Sequence, residues 1–221
     1  MTKIGVFDSG IGGQTVADKI TRLFPDVEVI FVNDSSNIPY GLKRRADIVR
    51  LTLAAVQPLI EAQCDAIVIA CNTATTNAIA DLRAAHPFVH FVGIEPMLKP
   101  ASKLTKTGTI AVLATPGTLA SHRYAQLKRT WTHRVTVIEP DCSTWASQIE
   151  RGQADDIDIR GVVDELHRWK ADVIVLGCTH YHWVKDRIQA AAGRHIRVLE
   201  PSDAIVARLD QLLSISAELP R

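Results

Sequence analysis

The chain reads as an α/β protein of two pseudo-symmetric lobes, each a mainly parallel sheet flanked by helices, with a site in the cleft between them. Three observations predict this. Strand-like and helix-like segments alternate along the whole length, which implies parallel strands joined by right-handed crossovers. Two cysteines close matching apolar runs: Cys71 ends Asp65-Ala-Ile-Val-Ile-Ala-Cys, and Cys178 ends Asp172-Val-Ile-Val-Leu-Gly-Cys. Finally, the first half returns in the second at a near-constant offset. Cys178 follows Cys71 by 107 positions, Ile110-Ala-Val-Leu-Ala-Thr115 follows Ile4-Gly-Val-Phe-Asp-Ser9 by 106, Asp141 follows Asp34 by 107, and Glu200-Pro201 follows Glu95-Pro96 by 105.

The elements follow in order. A short apolar run at 4–7 reads as a buried strand. It leads through Asp8-Ser-Gly-Ile-Gly-Gly13 into a helix at 14–24. A strand at 27–32 precedes the loop Asp34 to Gly41, and a helix covers 46–62. The strand at 66–70 stops at Cys71, a helix follows at 75–85, and a strand at 89–93 reaches Gly93-Ile-Glu-Pro96. The second half repeats the order: strand 109–113, helix 118–130, strand 134–138, helix 157–170, strand 172–176, helix 183–192 and strand 196–199. The polar stretch Ile149 to Asp158 reads as a loop, and a last helix occupies 202–213. The expected lobes are 1–97 with 203–221, and 98–202.

Composition bounds the function. With 221 residues, 47% hydrophobic and 22% charged, the chain can form a globular core or two small lobes. A net charge of +1 gives no electrostatic reason to expect nucleic acid. No uninterrupted apolar segment approaches the roughly 20 residues of a membrane span. The N-terminus enters a strand directly, without a secretory leader, and the four cysteines include no Cys-x-x-Cys pair. A reducing, cytoplasmic setting without disulfides is expected.

A cysteine at the carboxyl end of a parallel strand sits where open α/β sheets bind ligands. A following helix N-terminus is expected to lower its pKa and favour the thiolate. Two such thiols suggest a pair working on one substrate from two sides. Gly10-Ile-Gly-Gly13 is not a full dinucleotide fingerprint, and a tight turn whose amides face an anion explains it better. Cys178, His180 and His182 lack a fourth ligand at useful spacing, so no metal is expected. Cys64 and Cys142 read as core residues. Trp131, Trp145, Trp169 and Trp183 read as packing residues, with Trp145 and Trp183 placed to flank the cleft.

The blocks Asp8-Ser-Gly-Ile-Gly-Gly-Gln-Thr15, Pro39-Tyr-Gly41, Cys71-Asn-Thr-Ala-Thr75, Gly93-Ile-Glu-Pro96 and Gly177-Cys-Thr-His-Tyr181 resemble the signatures of the glutamate racemases, within the aspartate/glutamate racemase superfamily. The resemblance runs from Ile4 to about Leu209. It implies cofactor-independent racemisation of glutamate, supplying D-glutamate for peptidoglycan synthesis. Cys71 and Cys178 would be the two bases, with Asp8 near the first thiol and Glu150 and His180 near the second. Asp8, Ser9, Pro39, Tyr40, Gly41, Asn72, Thr73, Thr118, Thr179 and His180 would contact the substrate. Neither metal nor organic cofactor is implied. The chain departs from the family pattern at His182-Trp183 and before Glu150, and it stops soon after the last helix, so a partner subunit in a homodimer could cover the first lobe. Two alternatives stay open: a relative acting on aspartate or another small acid, and a non-catalytic binding protein that keeps the pocket.

Overall fold

A computed structural model describes residues 1–218, with side chains described to 213; residues 219–221 of the expected first lobe lie outside the described residues. The first half runs β1 (Thr2–Asp8), α1 (Gln14–Leu23), β2 (Val27–Asn33), α2 (Arg45–Glu61), β3 (Ala66–Ile69), α3 (Asn72–Ala85) and β4 (Phe91–Gly93). A short α4 (Leu98–Leu104) leads into β5 (Thr109–Ala114), α5 (Pro116–Leu119), α6 (His122–Trp131), β6 (Thr136–Ile138), α7 (Trp145–Glu150) and α8 (Arg160–Arg168). The chain then forms β7 (Val173–Gly177), α9 (Lys185–Ala192), β8 (Arg197–Leu199) and α10 (Ser202–Glu218).

The strands form two four-stranded sheets of identical order, β2-β1-β3-β4 and β6-β5-β7-β8, with every neighbouring pair parallel. The repeated offsets in the sequence are therefore a repeated topology. Strand side chains alternate between faces. In the first sheet Phe7, Ile67 and Ile69 pack under α2 and α3 with Ile48, Leu59 and Leu82. The intervening Ile4, Val6, Ala66 and Val68 meet Val16 and Ile20 of α1 and Ile205 and Leu209 of α10. The second sheet does the same. Ala111, Leu113, Ile174 and Leu176 face α7, α8 and α9, while Ile110, Val112, Val173 and Val175 face α4 and α6. Such two-sided burial is why β3 and β7 read as unbroken apolar runs rather than alternating ones.

Several elements differ from their sequence-based bounds. The helix expected at 118–130 is two helices, each with its own cap: Thr115 accepts from the Thr118 N–H, and Ser121 accepts from the Tyr124 N–H. The helix expected from 75 begins at Asn72, directly after Cys71, and the one expected at 157–170 shortens to α8. In place of a helix starting at 183, a 3-10 turn over Thr179–Val184 precedes α9. The supposed loop from Ile149 begins inside α7, and neither α7 nor α4 was expected from the pattern.

After β8 the chain returns to the first sheet. Ile205 and Leu209 of α10 are buried against β1 and α1, and Lys19 of α1 donates to the Ser202 hydroxyl at 2.6 Å. Leu209 has no exposed surface. Leu209→Ala should thus cost about 2–5 kcal/mol, the range for emptying a buried leucine site. Urea unfolding of the purified variant checks this, and a loss below about 0.5 kcal/mol would show that α10 is not part of the core.

Candidate active site

Both cysteines arrive at the same place because both follow the third strand of equivalent sheets. Each strand ends at the seam between the halves, and Cys71 and Cys178 line one cavity of about 220 Å³ there. The first half contributes Ser9, the segment from Ile38 to Leu42, and Cys71 to Thr73. The second contributes Thr115, Pro116, a strip from Ser143 to Arg151, and Cys178 to His180.

The seam is closed by hydrogen bonds between the halves. Thr179 donates its hydroxyl to Asp8 Oδ2 at 2.9 Å, and the Ile11 N–H donates to Glu150 Oε1 at 3.0 Å. Thr73, Thr115 and Thr118 form a buried ring of hydroxyls, spaced 2.8, 3.2 and 3.1 Å. Asn77 Nδ2 donates to the Gly117 carbonyl at 3.0 Å, and Arg123 clamps Glu95 with two bonds of 2.6 and 3.0 Å. The close approach needs glycine at Gly10, where a Cβ would collide with the Glu150 carboxylate, and at Gly41, where it would lie 2.7 Å from Thr115 Cβ. The glycine-rich turn does present an amide to an anion. That anion is the protein's own Glu150.

The two thiols sit in different electrostatic surroundings. Cys71 caps α3, its Sγ accepting from the Ala74 N–H at 3.4 Å with the Ser9 hydroxyl 3.3 Å away. The expected lowering of its pKa does not occur. Burial and the neighbouring Asp8 push the thiol up to about 12, against the weaker pull of Ser9 and Ala74. Desolvation of a fully enclosed thiolate outweighs two bonds to sulfur. Asp8 is itself raised by its burial, despite His180, the Gly10 N–H at 2.8 Å and Thr179.

At Cys178 the backbone is extended and the 3-10 turn brings His180 Nδ1 to 3.7 Å from Sγ. The other ring nitrogen, Nε2, hydrogen-bonds Glu150 Oε1. Burial favours neutral imidazole, but the bonds to Cys178 and Glu150 prevail and hold the His180 pKa up at about 11. Glu150 would likewise be raised by burial. Instead His180 and the Ile11 N–H hold it below the usual carboxylate range. An imidazolium cation thus lies beside one sulfur, and a carboxyl pushed towards its neutral form lies beside the other.

Of the residues expected at the site, Ser9, Pro39, Tyr40, Gly41, Cys71, Asn72, Thr73, Glu150, Cys178, Thr179 and His180 line the cavity. Asp8 and Thr118 stand one layer back, behind Thr179 and behind the Thr73–Thr115 pair. Tyr40 is fixed by its hydroxyl, which donates to Asp34 at 2.7 Å. Asn72 is buried, and neither its amide nitrogen nor its oxygen has a hydrogen-bond partner among the described residues. An orphaned amide costs about 1–3 kcal/mol per polar group, so its presence at a cavity wall points to a ligand.

Trp145 does not flank the cleft. It is buried on the core side of α7, edge-on to Tyr181 with centroids 5.4 Å apart. Trp183 is exposed and lies outside the lining. The lining residues that went unassigned are Thr115, Ser143, Ala146, Ser147 and Arg151, with Ile38, Leu42 and Pro116. Four of them recur with Glu150 at helical spacing, but six-residue α7 is too short for that period to stand out, and it lies between the expected strand at 134–138 and the expected loop from Ile149. All four cysteines are free. Among the described residues no group of three or more His, Cys, Asp and Glu is placed to hold a metal ion, and no helix is long and apolar enough to cross a membrane.

Comparison with known proteins places this geometry. The profile of the Asp/Glu/Hydantoin racemase family matches residues 4–209. The glutamate racemase of Roseiflexus sp. (strain RS-1) is 38% identical over 214 residues, 95% of this chain and 79% of the relative. That of Methylococcus capsulatus is 39% identical over 225 residues, 99% of this chain and 82% of the relative. Among solved structures, Escherichia coli glutamate racemase in complex with L-glutamate and the activator UDP-MurNAc-ala superposes with a TM-score of 0.85 at 30% identity, covering 96% of this chain and 82% of that one. Francisella tularensis glutamate racemase in complex with D-glutamate gives 0.83 at 29% identity, covering 99% and 83%. Aspartate racemase of Picrophilus torridus, at 19% identity and a TM-score of 0.61, shares the fold. With its two like sheets and a thiol at the end of each third strand, this chain belongs to the Asp/Glu/hydantoin racemase family.

Proposed function

We propose that this protein is an amino-acid racemase that interconverts L- and D-glutamate without a cofactor, using Cys71 and Cys178 as the two acid–base groups. The observation that carries the reading is that two strand-end thiols from equivalent positions open on one cavity. A glutamate-sized molecule between them has a sulfur available to either face of Cα. One thiolate takes the α-proton, its electron pair delocalises into the α-carboxylate, and the thiol opposite delivers a proton to the other face. Thiol and thiolate have then exchanged roles. The acid–base groups for both directions come from the chain itself.

The charge pattern supports starting roles. Cys71, with its pKa pushed up to about 12, rests as the proton donor. Cys178, with His180 Nδ1 3.7 Å from its Sγ, is then the partner that takes the α-proton in this direction. Asn72 offers a donor and an acceptor to the substrate, and the first amides of α3 are aimed where carboxylate charge develops. Enclosure between the lobes excludes water and strengthens these interactions. The same reading divides the chain into lobes 1–97 with 203–221 and 98–202, and makes the protein a cytoplasmic source of D-glutamate for peptidoglycan. A non-catalytic role is disfavoured by two intact thiols.

Cys71→Ala and Cys178→Ala should each abolish racemisation in both directions, since a one-sided site cannot protonate the opposite face. Circular dichroism of each variant with L- and D-glutamate is the measurement, and full bidirectional turnover by either would sink the two-base assignment. In heavy water, the product enantiomer should carry deuterium at Cα while recovered substrate stays largely protiated at early times. Product that retains its protium would point to a single base.

The pH dependence follows from the His180 pair. Burial favours the neutral His180 ring and the bonds to Cys178 and Glu150 oppose it, so Glu150→Gln removes one of the two opposing bonds and lowers the His180 pKa. The alkaline limb of kcat/KM, where the imidazolium is lost, should move to lower pH in the variant. A limb that stays in place would show that His180 does not govern it.

A further inference from the structure

Part of the cavity wall supplied by the second lobe is one face of α7 together with the residues that flank it. Ser143, Ala146, Ser147, Glu150 and Arg151 line it, at i, i+3, i+4, i+7 and i+8 around α7. That spacing puts side chains on one side of a helix. The other side, with Cys142, Trp145 and Ile149, is sunk in the core. Arg151, directly after the last helical residue, thus belongs to the cavity face at its solvent-exposed end.

The charges around the cavity leave Arg151 with no competing partner. Two acids stand near the thiols, Asp8 and Glu150, and His180 is already committed to Glu150 and Cys178. The first-lobe wall, from Ser9, Ile38 to Leu42 and Cys71 to Thr73, contains no cationic side chain. Arg151 is the remaining cation on the wall. Its Nε donates to Gln153 Oε1 at 3.0 Å, a neutral amide, and no carboxylate pairs with it among the described residues. Ser143 and Ser147 put two hydroxyls on the same face.

A dicarboxylic amino acid brings three charged groups into this space. The ammonium finds the acids near the thiols, and the α-carboxylate finds Asn72 and the start of α3. The second carboxylate reaches beyond the reacting centre, where a cation on the wall would strengthen its binding. A guanidinium is a planar fork that matches a carboxylate with two hydrogen bonds. We propose that Arg151 is a specificity-determining residue that binds the side-chain carboxylate of the substrate and selects dicarboxylic over neutral amino acids. This rests on the glutamate reading above. Because Arg151 is exposed, its pull on substrate is screened by salt.

The test compares wild type with Arg151→Gln and Arg151→Lys. Steady-state racemisation of glutamate is run at low and high ionic strength, and affinities for L-glutamate and L-glutamine are measured by calorimetry. In Arg151→Gln the KM for glutamate should rise about tenfold, with a much smaller fall in kcat. The preference for glutamate over glutamine should shrink by a similar factor, and the rise of KM with salt should flatten. Arg151→Lys should recover part of each effect. A merely structural role would lower kcat or thermal stability while leaving the glutamate-to-glutamine ratio alone. If wild type racemises glutamate but Arg151→Gln keeps its KM and preference, the proposal is overturned and the functional reading stands. If wild type neither binds nor racemises glutamate, the functional reading fails and takes this proposal with it.

Discussion

The contact on which the site depends is the carboxylate of Glu150, which accepts from the Ile11 N–H of one lobe and from His180 of its own. It joins three otherwise separate things: the turn after β1, the end of α7 and the residue beside Cys178. A buried carboxylate without partners would be strongly disfavoured. Here one backbone amide and one imidazolium stabilise it, and its charge in turn keeps the ring cationic. Removing either charged member deprives the other of its hydrogen-bonded counter-charge. One contact holding the lobes together is consequently anchored on the charge pair beside Cys178. This explains why the turn must be glycine at Gly10, where any side chain would displace Glu150.

The two halves share a topology and differ in electrostatics. Both third strands deliver a thiol to the cleft, but the chain that follows is not the same. After Cys71 the backbone enters α3 at once, so the thiol is a helix cap with an amide for a partner. After Cys178 a 3-10 turn curls back and places His180 against the sulfur. Burial then dominates on one side and an adjacent cation on the other. Equivalent positions of one topology therefore place the two sulfurs in unlike surroundings.

The fold was legible because buried parallel strands leave a direct trace: β3 and β7 are apolar runs with an acid at one end and a cysteine at the other. The cysteines, the Ser9 turn and the Pro39-Tyr40-Gly41 segment could be placed in one cleft from repeat spacing and family resemblance. What could not be read depends on tertiary context. Proximity to a helix N-terminus suggested a lowered Cys71 pKa, whereas complete burial beside Asp8 raises it. Six-residue α7 shows no clear amphipathic run, because its second face looks into a cavity rather than into solvent or core. Trp145 was expected to flank the cleft, but it precedes the lining residue Ala146 by one step of α7, a rotation of about 100° that turns it into the core.

The polar seam contains one imbalance. The hydroxyls of Thr73, Thr115 and Thr118 satisfy one another in a closed ring between the lobes. Their neighbour Asn72, equally buried, is paired with nothing among the described residues. Packing alone would have placed an apolar residue there or supplied a partner. An unsatisfied amide kept next to a thiol on a cavity wall is the kind of local inconsistency that marks functional positions. Its place in the chain adds a consequence. Asn72 lies between Cys71, which lines the cavity, and Thr73, which ties the first lobe to the second. A carboxylate satisfying Asn72 would engage the first turn of α3 at the point where thiol and seam are joined.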